Sequence, residues 1–282
     1  MRDLVEHAAA KFSEVGIHSP EVDAELLAAH VLGLTRGGVQ AQILIGASVT
    51  EDQAQQITHL YGRRQAREPL QHITGVAFFR NLELSVGRGV FIPRPETEFV
   101  AQLAIDALRV VSQAQPIAVD LGTGSGAIAL AMATEVLNAK VFAVEKSSDA
   151  MPFTTKNFER YGAQNAQLIQ GDLATAFTEL DGQVAVVASN PPYIPLAAVP
   201  RDVEVHLYDP DLALYGGDDG MSVIHHVSAT AKRLLHEGGY LVIEHADSQA
   251  EQVSQLLLAV GWRQVRAHRD LTGRDRAVTA IK

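Results

Sequence analysis

At 282 residues the chain is long enough for a core domain carrying a smaller appendage. Its 47% hydrophobic and 20% charged residues fall in the ordinary globular range and exclude a disordered polymer. With 23 basic against 33 acidic residues the formal net charge is −10, which excludes a general attraction to nucleic-acid backbones or anionic membranes and favours a basic partner.

The chain opens with a helix pattern: Leu4, Val5, Ala8, Ala9 and Phe12 recur at i, i+3 and i+4. Charges are spaced through this stretch and no apolar h-region stands in it, so no secretory signal is expected there, and no apolar run in the chain approaches the roughly 18 residues that span a bilayer. A cytoplasmic location is expected. Ser19-Pro20-Glu21 predicts an N-cap with Pro at the first helical position, and Gly33 ends the helix that follows. A third helix is expected over Glu51 to Arg67, capped by Thr50 and striped by Ile57, Leu60 and Tyr61. Residues 1–70 are thus predicted to form a helical domain.

From Gln71 to Val90 the period shifts toward two, in "HITGVAFF" and "LELSV" with Arg80-Asn81 between them, predicting a β-hairpin connector over 71–94. Two prolines then flank Arg94 in "FIPRPETE" and hold the backbone extended until Glu96 or Thr97 starts a helix. Residues 95–282 alternate strands with helical stretches such as "AMPFTTKNFERYG". Their apolar strands are continuous rather than alternating, which implies burial on both faces and a mostly parallel sheet covered by helices. The last twenty residues read as a closing hairpin that adds one antiparallel strand. With no cysteine, disulfides, thiolate zinc sites and a Cys nucleophile are excluded. The 11 histidines form no H-x-x-x-H pair within a helix, and no metal is expected.

"VDLGTGSGAIALA" sets Gly122, Gly124 and Gly126 directly after the first strand of this region and before a helix, where backbone must approach a ligand and a helix N-terminus supplies amides. A pyrophosphate loop prefers Gly-x-Gly-x-x-Gly. Here Gly-x-Gly-x-Gly stands behind the carboxylate of Asp120, which suits a cationic ligand, and S-adenosylmethionine carries both a sulfonium and an ammonium. Glu145 ends the second strand, where a carboxylate can accept two ribose hydroxyls, and Asp172 ends the third, where an adenine edge can be read. Taken singly, both acids could be solvated strand ends. Three such features in order at carboxyl ends of parallel strands predict one shared crevice.

Asn190 ends the fourth strand at that rim, in "SNPPYIP". The prolines donate no hydrogen bond and confine the backbone, so the site offers acceptors: the Asn190 side-chain oxygen and the Pro191 carbonyl. Two acceptors converging on an NH₂ group hold its hydrogens and direct its lone pair, while Tyr193 supplies a flat wall. The expected reaction is methylation of a planar nitrogen without a strong base.

These motifs resemble class I methyltransferases, and "FIPRPETE", "NPPYIP", "YDPDLALYGGDDGM" and "DLTGRDR" together resemble the PrmC/HemK family of glutamine N5-methyltransferases over nearly the whole chain. The resemblance implies a Rossmann-like α/β fold, with a mostly parallel seven-stranded sheet and one antiparallel strand, behind a small helical domain and a β-hairpin. It further implies that Gly122, Thr123, Gly124, Ser125 and Gly126, beside Asp120, hold the methionine part of S-adenosylmethionine, Glu145 the ribose, and Asp172 with Leu173 the adenine. Asn190, Pro191, Pro192 and Tyr193 would grip the substrate glutamine, with Asn190 also touching cofactor and Phe91 close by. The implied substrate is the Gln of the Gly-Gly-Gln motif in class I peptide-chain release factors, docked through the N-terminal helices onto a monomeric enzyme. Ala174, Asp209 and Ala246 depart from the residues common in the family, Asp209 keeping the usual charge.

The same acceptor logic would serve adenine N6 or guanine N2 methyltransferases, and a sister class methylates glutamine on a ribosomal protein. Against a nucleic acid stands the segment 201–220, with Arg201 facing Asp202, Glu204, Asp209, Asp211, Asp218 and Asp219. Arginines 63, 64, 67, 80, 88 and 94 lie elsewhere, most expected on helix or hairpin surface. The intact "PRPETE" favours the release-factor branch. A non-catalytic binding protein would be expected to have lost Asn190 or a loop glycine.

Overall fold

The computed structural model describes every residue of the chain except 162, 163 and 201. The described residues divide into two compact units, one built on Met1–Val76 with the short helix Val203–Tyr208, the other on Ala77–Pro200 and Asp209–Lys282.

In the first unit, α1 (Arg2–Glu14), α2 (Pro20–Leu32), α3 (Arg36–Leu44), α4 (Glu51–Gln65) and α5 (Leu70–Thr74) pack around Phe12, Leu27, Ile57 and Tyr61. The Tyr61 ring meets Phe12 edge-on with centroids 5.6 Å apart, and its hydroxyl donates to the Ala24 carbonyl. Thr50 and Gln53 form a reciprocal capping box on α4, and Gly33 closes α2 in the left-handed region. Ser19 precedes α2 as expected but its side chain caps nothing; Pro20 at the first turn lacks one of the amides a cap would serve.

Two elements differ from expectation. Helix α3 is a further helix between the second and third that were expected; the Thr35 hydroxyl accepts from the Gly38 amide and starts it. Residues 71–74, expected to open the hairpin, are helical and belong to α5, since Pro69 leads into that turn and Gly75 at φ 76° ends it. Arg64, expected on a helix surface, is only 5% exposed. It donates to Asp23 at 2.8 Å and to Glu204 at 2.7 Å, and Arg67 donates to Glu204 at 3.1 Å. Burial holds Asp23 above its usual pKa and the Arg64 partner pulls the other way.

The second unit carries the hairpin β1 (Val76–Phe79) and β2 (Leu82–Ser85), turned at Arg80 with φ 52°. Then follow α6 (Thr97–Arg109), β3 (Ile117–Leu121), α7 (Ala127–Glu135), β4 (Lys140–Glu145), α8 (Met151–Tyr161), β5 (Ala166–Gln170) and β6 (Val184–Ser189). After β6 come α9 (Val203–Tyr208, of the first unit), α10 (Asp211–Leu214), α11 (Ser222–Leu234), β7 (Leu235–Glu244), α12 (Ala250–Ala259), β8 (Arg263–Arg269) and β9 (Asp275–Ile281). Gly162, the last residue of the expected helical stretch "AMPFTTKNFERYG", lies outside the described residues.

The seven-stranded sheet runs β5-β4-β3-β6-β7-β9-β8, with β3 to β7 parallel and β9 antiparallel to both neighbours. Every residue of β6 is buried. Its Val186 and Ala188 join the cluster containing Val100, Ala104 and Leu130, while Val187 faces Ile224, Val253 and Leu257. Helices on both faces thus explain why these strands are apolar throughout. From β3 the chain first builds outward through β4 and β5, then returns to lay β6 on the other side. The order therefore reverses between β3 and β6, and the crevice outside their carboxyl ends is where such sheets bind ligands.

Candidate active site

Five residues turn β3 into α7, with Gly122, Gly124 and Gly126 at φ 76°, 56° and 88°. Only glycine holds three left-handed positions so closely without strain. Their surroundings separate two roles. A Cβ on Gly122 would meet only the Leu173 side chain, at 3.9 Å, and one on Gly124 would meet nothing within 4 Å, so both border open space. A Cβ on Gly126 would lie 2.9 Å from the Phe158 ring, so this glycine serves packing.

Asp120 braces the loop: its Oδ2 accepts from the Thr123 hydroxyl at 2.6 Å and from the Ala129 amide at 3.1 Å. Its Oδ1 is buried without a hydrogen-bond partner among the described residues, and burial pushes the carboxyl up to about 7. Glu145 Oε2 accepts from the Gly124 amide and Oε1 from the Ser147 amide, each at 2.8 Å. Each oxygen thus keeps a further lone pair. From α8, buried Thr154 donates to the Gly124 carbonyl at 2.6 Å and Asn157 to the Ser125 carbonyl at 2.9 Å. Asp172 stands just beyond β5, held below its usual pKa by the Ala174 amide and by Lys146 at 3.0 Å. Leu173 is half-buried beside the glycines. An open cradle with a partnerless buried carboxylate oxygen, a carboxylate with spare lone pairs and a leucine fits a ligand bearing a cation, hydroxyls and a flat apolar ring.

At the neighbouring strand end, Ser189 donates to the Leu121 carbonyl at 2.6 Å and Asn190 follows it. Asn190 Nδ2 donates to the Thr97 hydroxyl at 3.2 Å, which leaves Oδ1 as the side chain's acceptor. Among the described residues no backbone amide donates to the Pro191 carbonyl. The next two carbonyls are covered: the Tyr193 carbonyl accepts from Gln249 Nε2 at 3.1 Å, and a Cβ on Gly216 would lie 2.5 Å from the Pro192 oxygen. Gly220 approaches the Tyr193 oxygen so closely that a Cβ there would stand 2.2 Å away. Ile194 exchanges backbone bonds with Leu214 and Gly216, both at 2.9 Å. Burial raises the Tyr193 phenol above its usual pKa, so it stays neutral. Its hydroxyl stands 3.5 Å from Glu244, which is 1% exposed and pushed up to about 7 by burial, against the pull of Thr97 and Arg276.

Thr97, Glu244, Gln249, Gly216 and Gly220 were not foreseen from the sequence. The available signal was "YGGDDGM", whose glycines permit that close approach. Phe91 lies with its ring 5.1 Å from the Arg94 guanidinium, and Arg94 donates to buried Asp209 at 2.6 Å. Glu204 and Asp209 are thus each paired with arginine, and the acidic stretch is weaker than its composition predicts. Arg201, its single basic residue, lies outside the described residues. The family's departures are accommodated: the Ala174 amide bonds Asp172, and the Ala246 amide bonds the Gln249 side chain that reaches Tyr193.

A family model for the PrmC N-terminal domain matches residues 3–75, and a methyltransferase domain model matches 114–270. The chain is 47% identical to the release factor glutamine methyltransferase of Streptomyces coelicolor, over 99% of this chain and 96% of the relative. Against the enzyme of the same name from Deinococcus radiodurans it is 38% identical, over 99% and 98% respectively. A methyltransferase structure from Pyrococcus furiosus shares the fold with a TM-score of 0.53 at 19% identity, covering 81% of this chain and 98% of that one. Among the described residues no helix is long and apolar enough to cross a membrane.

Proposed function

The chain belongs to the release factor glutamine methyltransferase family, and we propose that it methylates N5 of the Gln in the Gly-Gly-Gln motif of class I peptide-chain release factors, with S-adenosylmethionine as donor. The observation that carries this reading is Asn190: its NH₂ is occupied by Thr97, so its oxygen is the atom left for a substrate, beside a carbonyl no backbone amide covers.

When bound, S-adenosylmethionine supplies an electrophilic methyl group on a sulfonium. Gly122 and Gly124 admit its methionine part, with Asp120 beneath; Thr123, Ser125 and Gly126 keep the loop in shape. Glu145 uses its spare lone pairs for the ribose hydroxyls, and Asp172 and Leu173 border the adenine. For the substrate, Asn190 Oδ1 and the Pro191 carbonyl each accept one hydrogen of the glutamine NH₂. That grip works against delocalisation of the nitrogen lone pair into the amide and aims it along the transfer line. No strong base is required, because the extra proton leaves a nitrogen that has already become cationic. Pro192 stiffens the loop, and Tyr193, with Phe91 nearby, walls the planar amide. The N-terminal helical unit docks the release factor on a monomeric enzyme in the cytoplasm.

The test is to incubate the protein with S-adenosylmethionine and a purified release factor and to examine the Gly-Gly-Gln peptide by mass spectrometry. One added methyl on the glutamine is expected. An unmodified peptide, with methyl label carried instead by RNA or DNA, would overturn the proposal.

A further inference from the structure

Each proline ring in Asn190-Pro191-Pro192-Tyr193 fixes its own φ, so the direction of the Pro191 carbonyl and of the Tyr193 ring depends on how the two ends of the stretch are held. The first end is held at β6: Ser189 donates to the Leu121 carbonyl at 2.6 Å and Asn190 donates to Thr97 at 3.2 Å. The second end is held by Gln249, which stands at the start of α12 and is 6% exposed.

Gln249 Nε2 donates to the Tyr193 carbonyl at 3.1 Å, while its Oε1 accepts from the Ala246 amide at 3.0 Å. Both partners are backbone groups, one able only to accept and the other only to donate, so the side-chain amide satisfies them in one sense alone. The base of that side chain is fixed as well: its amide donates to the Ala246 carbonyl and its carbonyl accepts from the Val253 amide, both at 2.9 Å. Gly220 makes room for the contact, since a Cβ there would stand 2.2 Å from the Tyr193 oxygen and 2.8 Å from Gln249 Nε2. Gln249 thus brackets the turn after β7 onto the loop after β6. Without its donor, the peptide unit after Tyr193 loses the partner that orients it, and rotation there is passed back through two stiff rings to Pro191.

We infer that Gln249 is a positioning residue for methyl transfer: by holding the Tyr193 carbonyl it sets the Pro191 carbonyl and the Tyr193 ring in place for the substrate amide. The inference rests on the proposed function.

Two substitutions test it. Gln249→Glu keeps an oxygen for the Ala246 amide but, ionised, sets its other oxygen against the Tyr193 carbonyl; protonated, it donates to that carbonyl and reproduces both bonds of the glutamine. Burial and the facing carbonyl disfavour the ionised form, so this carboxyl should titrate above the ordinary value of about 4.3. Gln249→Met fills the space and makes neither bond. At about pH 8.5 both variants should lower kcat on a release factor by about 10- to 100-fold, with S-adenosylmethionine affinity by calorimetry within about 3-fold of the wild type. As the pH is lowered to about 5.5, kcat of Gln249→Glu relative to the wild type at the same pH should rise by about 10-fold, while the ratio for Gln249→Met stays level. Tyr193, Glu244 and His245, whose titration is shifted by burial, are common to all three proteins. Circular dichroism at each pH establishes that the variants are folded. In ¹⁵N spectra of the wild type, the Gln249 side-chain NH₂, identified by its loss in Gln249→Glu, should exchange more slowly than exposed side-chain amides. A wild-type kcat at the alkaline end in either folded variant, a Gln249→Glu ratio as level as that of Gln249→Met, or an NH₂ that exchanges like the exposed ones overturns the positioning. A wild type that shows the protected NH₂ yet leaves the release factor unmethylated overturns the functional reading instead.

Discussion

The two loops at the rim of the sheet are held in different ways. The glycine loop draws its support from the stretch that follows it: Asp120, Thr123, Val144, Glu145, Thr154 and Asn157 all lie within the consecutive elements β3 to α8. The Asn-Pro-Pro-Tyr loop is held from both ends of its unit, by Thr97 93 residues away, Glu244 51 away and Gln249 56 away, and by the glycines at 216 and 220. One half of the site is thus encoded locally, and the other half exists only once the whole sheet has assembled. Substitutions should separate cofactor binding, a property of the first loop, from turnover, a property of the second.

The largest effect should come at the second loop. Gly220→Ala places a methyl 2.2 Å from the Tyr193 carbonyl oxygen at a residue with φ 77°, so backbone must move. Turnover should fall by about 100-fold, with cofactor affinity much less affected; calorimetry beside steady-state kinetics checks both. Next, Glu145→Ala should weaken S-adenosylmethionine binding by about 10- to 100-fold, since it also strips the Gly124 amide of its partner. Most of kcat should return at saturating cofactor. Intact affinity in a titration would move the ribose contact elsewhere.

A smaller effect is expected from pH. Glu244 is raised in the folded chain to about 7, from an ordinary 4.5. Its contribution to stability is therefore fully present below 4.5 and lost as the pH rises through about 7. Asp120 titrates in the same window but is common to wild type and Glu244→Gln. Denaturant unfolding at stepped pH should show wild-type stability declining relative to Glu244→Gln as the pH is raised from about 5 to about 8. The smallest change should be Gly124→Ala, where a Cβ meets nothing within 4 Å and only the left-handed backbone resists. It should cost about 1 to 2 kcal/mol of stability and leave the protein folded. Gly126→Ala, driven against Phe158, should cost more, which sharpens the difference between the two glycines.

The same contrast explains what could be read from the sequence. Continuous apolar strands announced a parallel sheet, because burial on both faces leaves no other pattern. The glycine spacing, Glu145 and Asp172 were visible because each directly follows or ends a strand. Thr97 and Glu244 carried no such sign: a threonine opening a helix and a glutamate ending a strand are unremarkable until the fold brings them to Asn190 and Tyr193. Arg64 looked like one more surface cation on α4, and only Asp23 and Glu204, supplied from distant parts of the chain, make its burial intelligible. Residues 71–74 misled for a local reason, as His72-Ile73-Thr74 suits a strand and the helix is imposed by Pro69 and Gly75.

The most direct test of the division between the loops is a single-turnover measurement on Asn190→Ala with the cofactor site saturated and a release factor in excess. The account predicts transfer slowed by about 1000-fold or more while S-adenosylmethionine remains bound with much of its affinity. Transfer at the wild-type rate would contradict it.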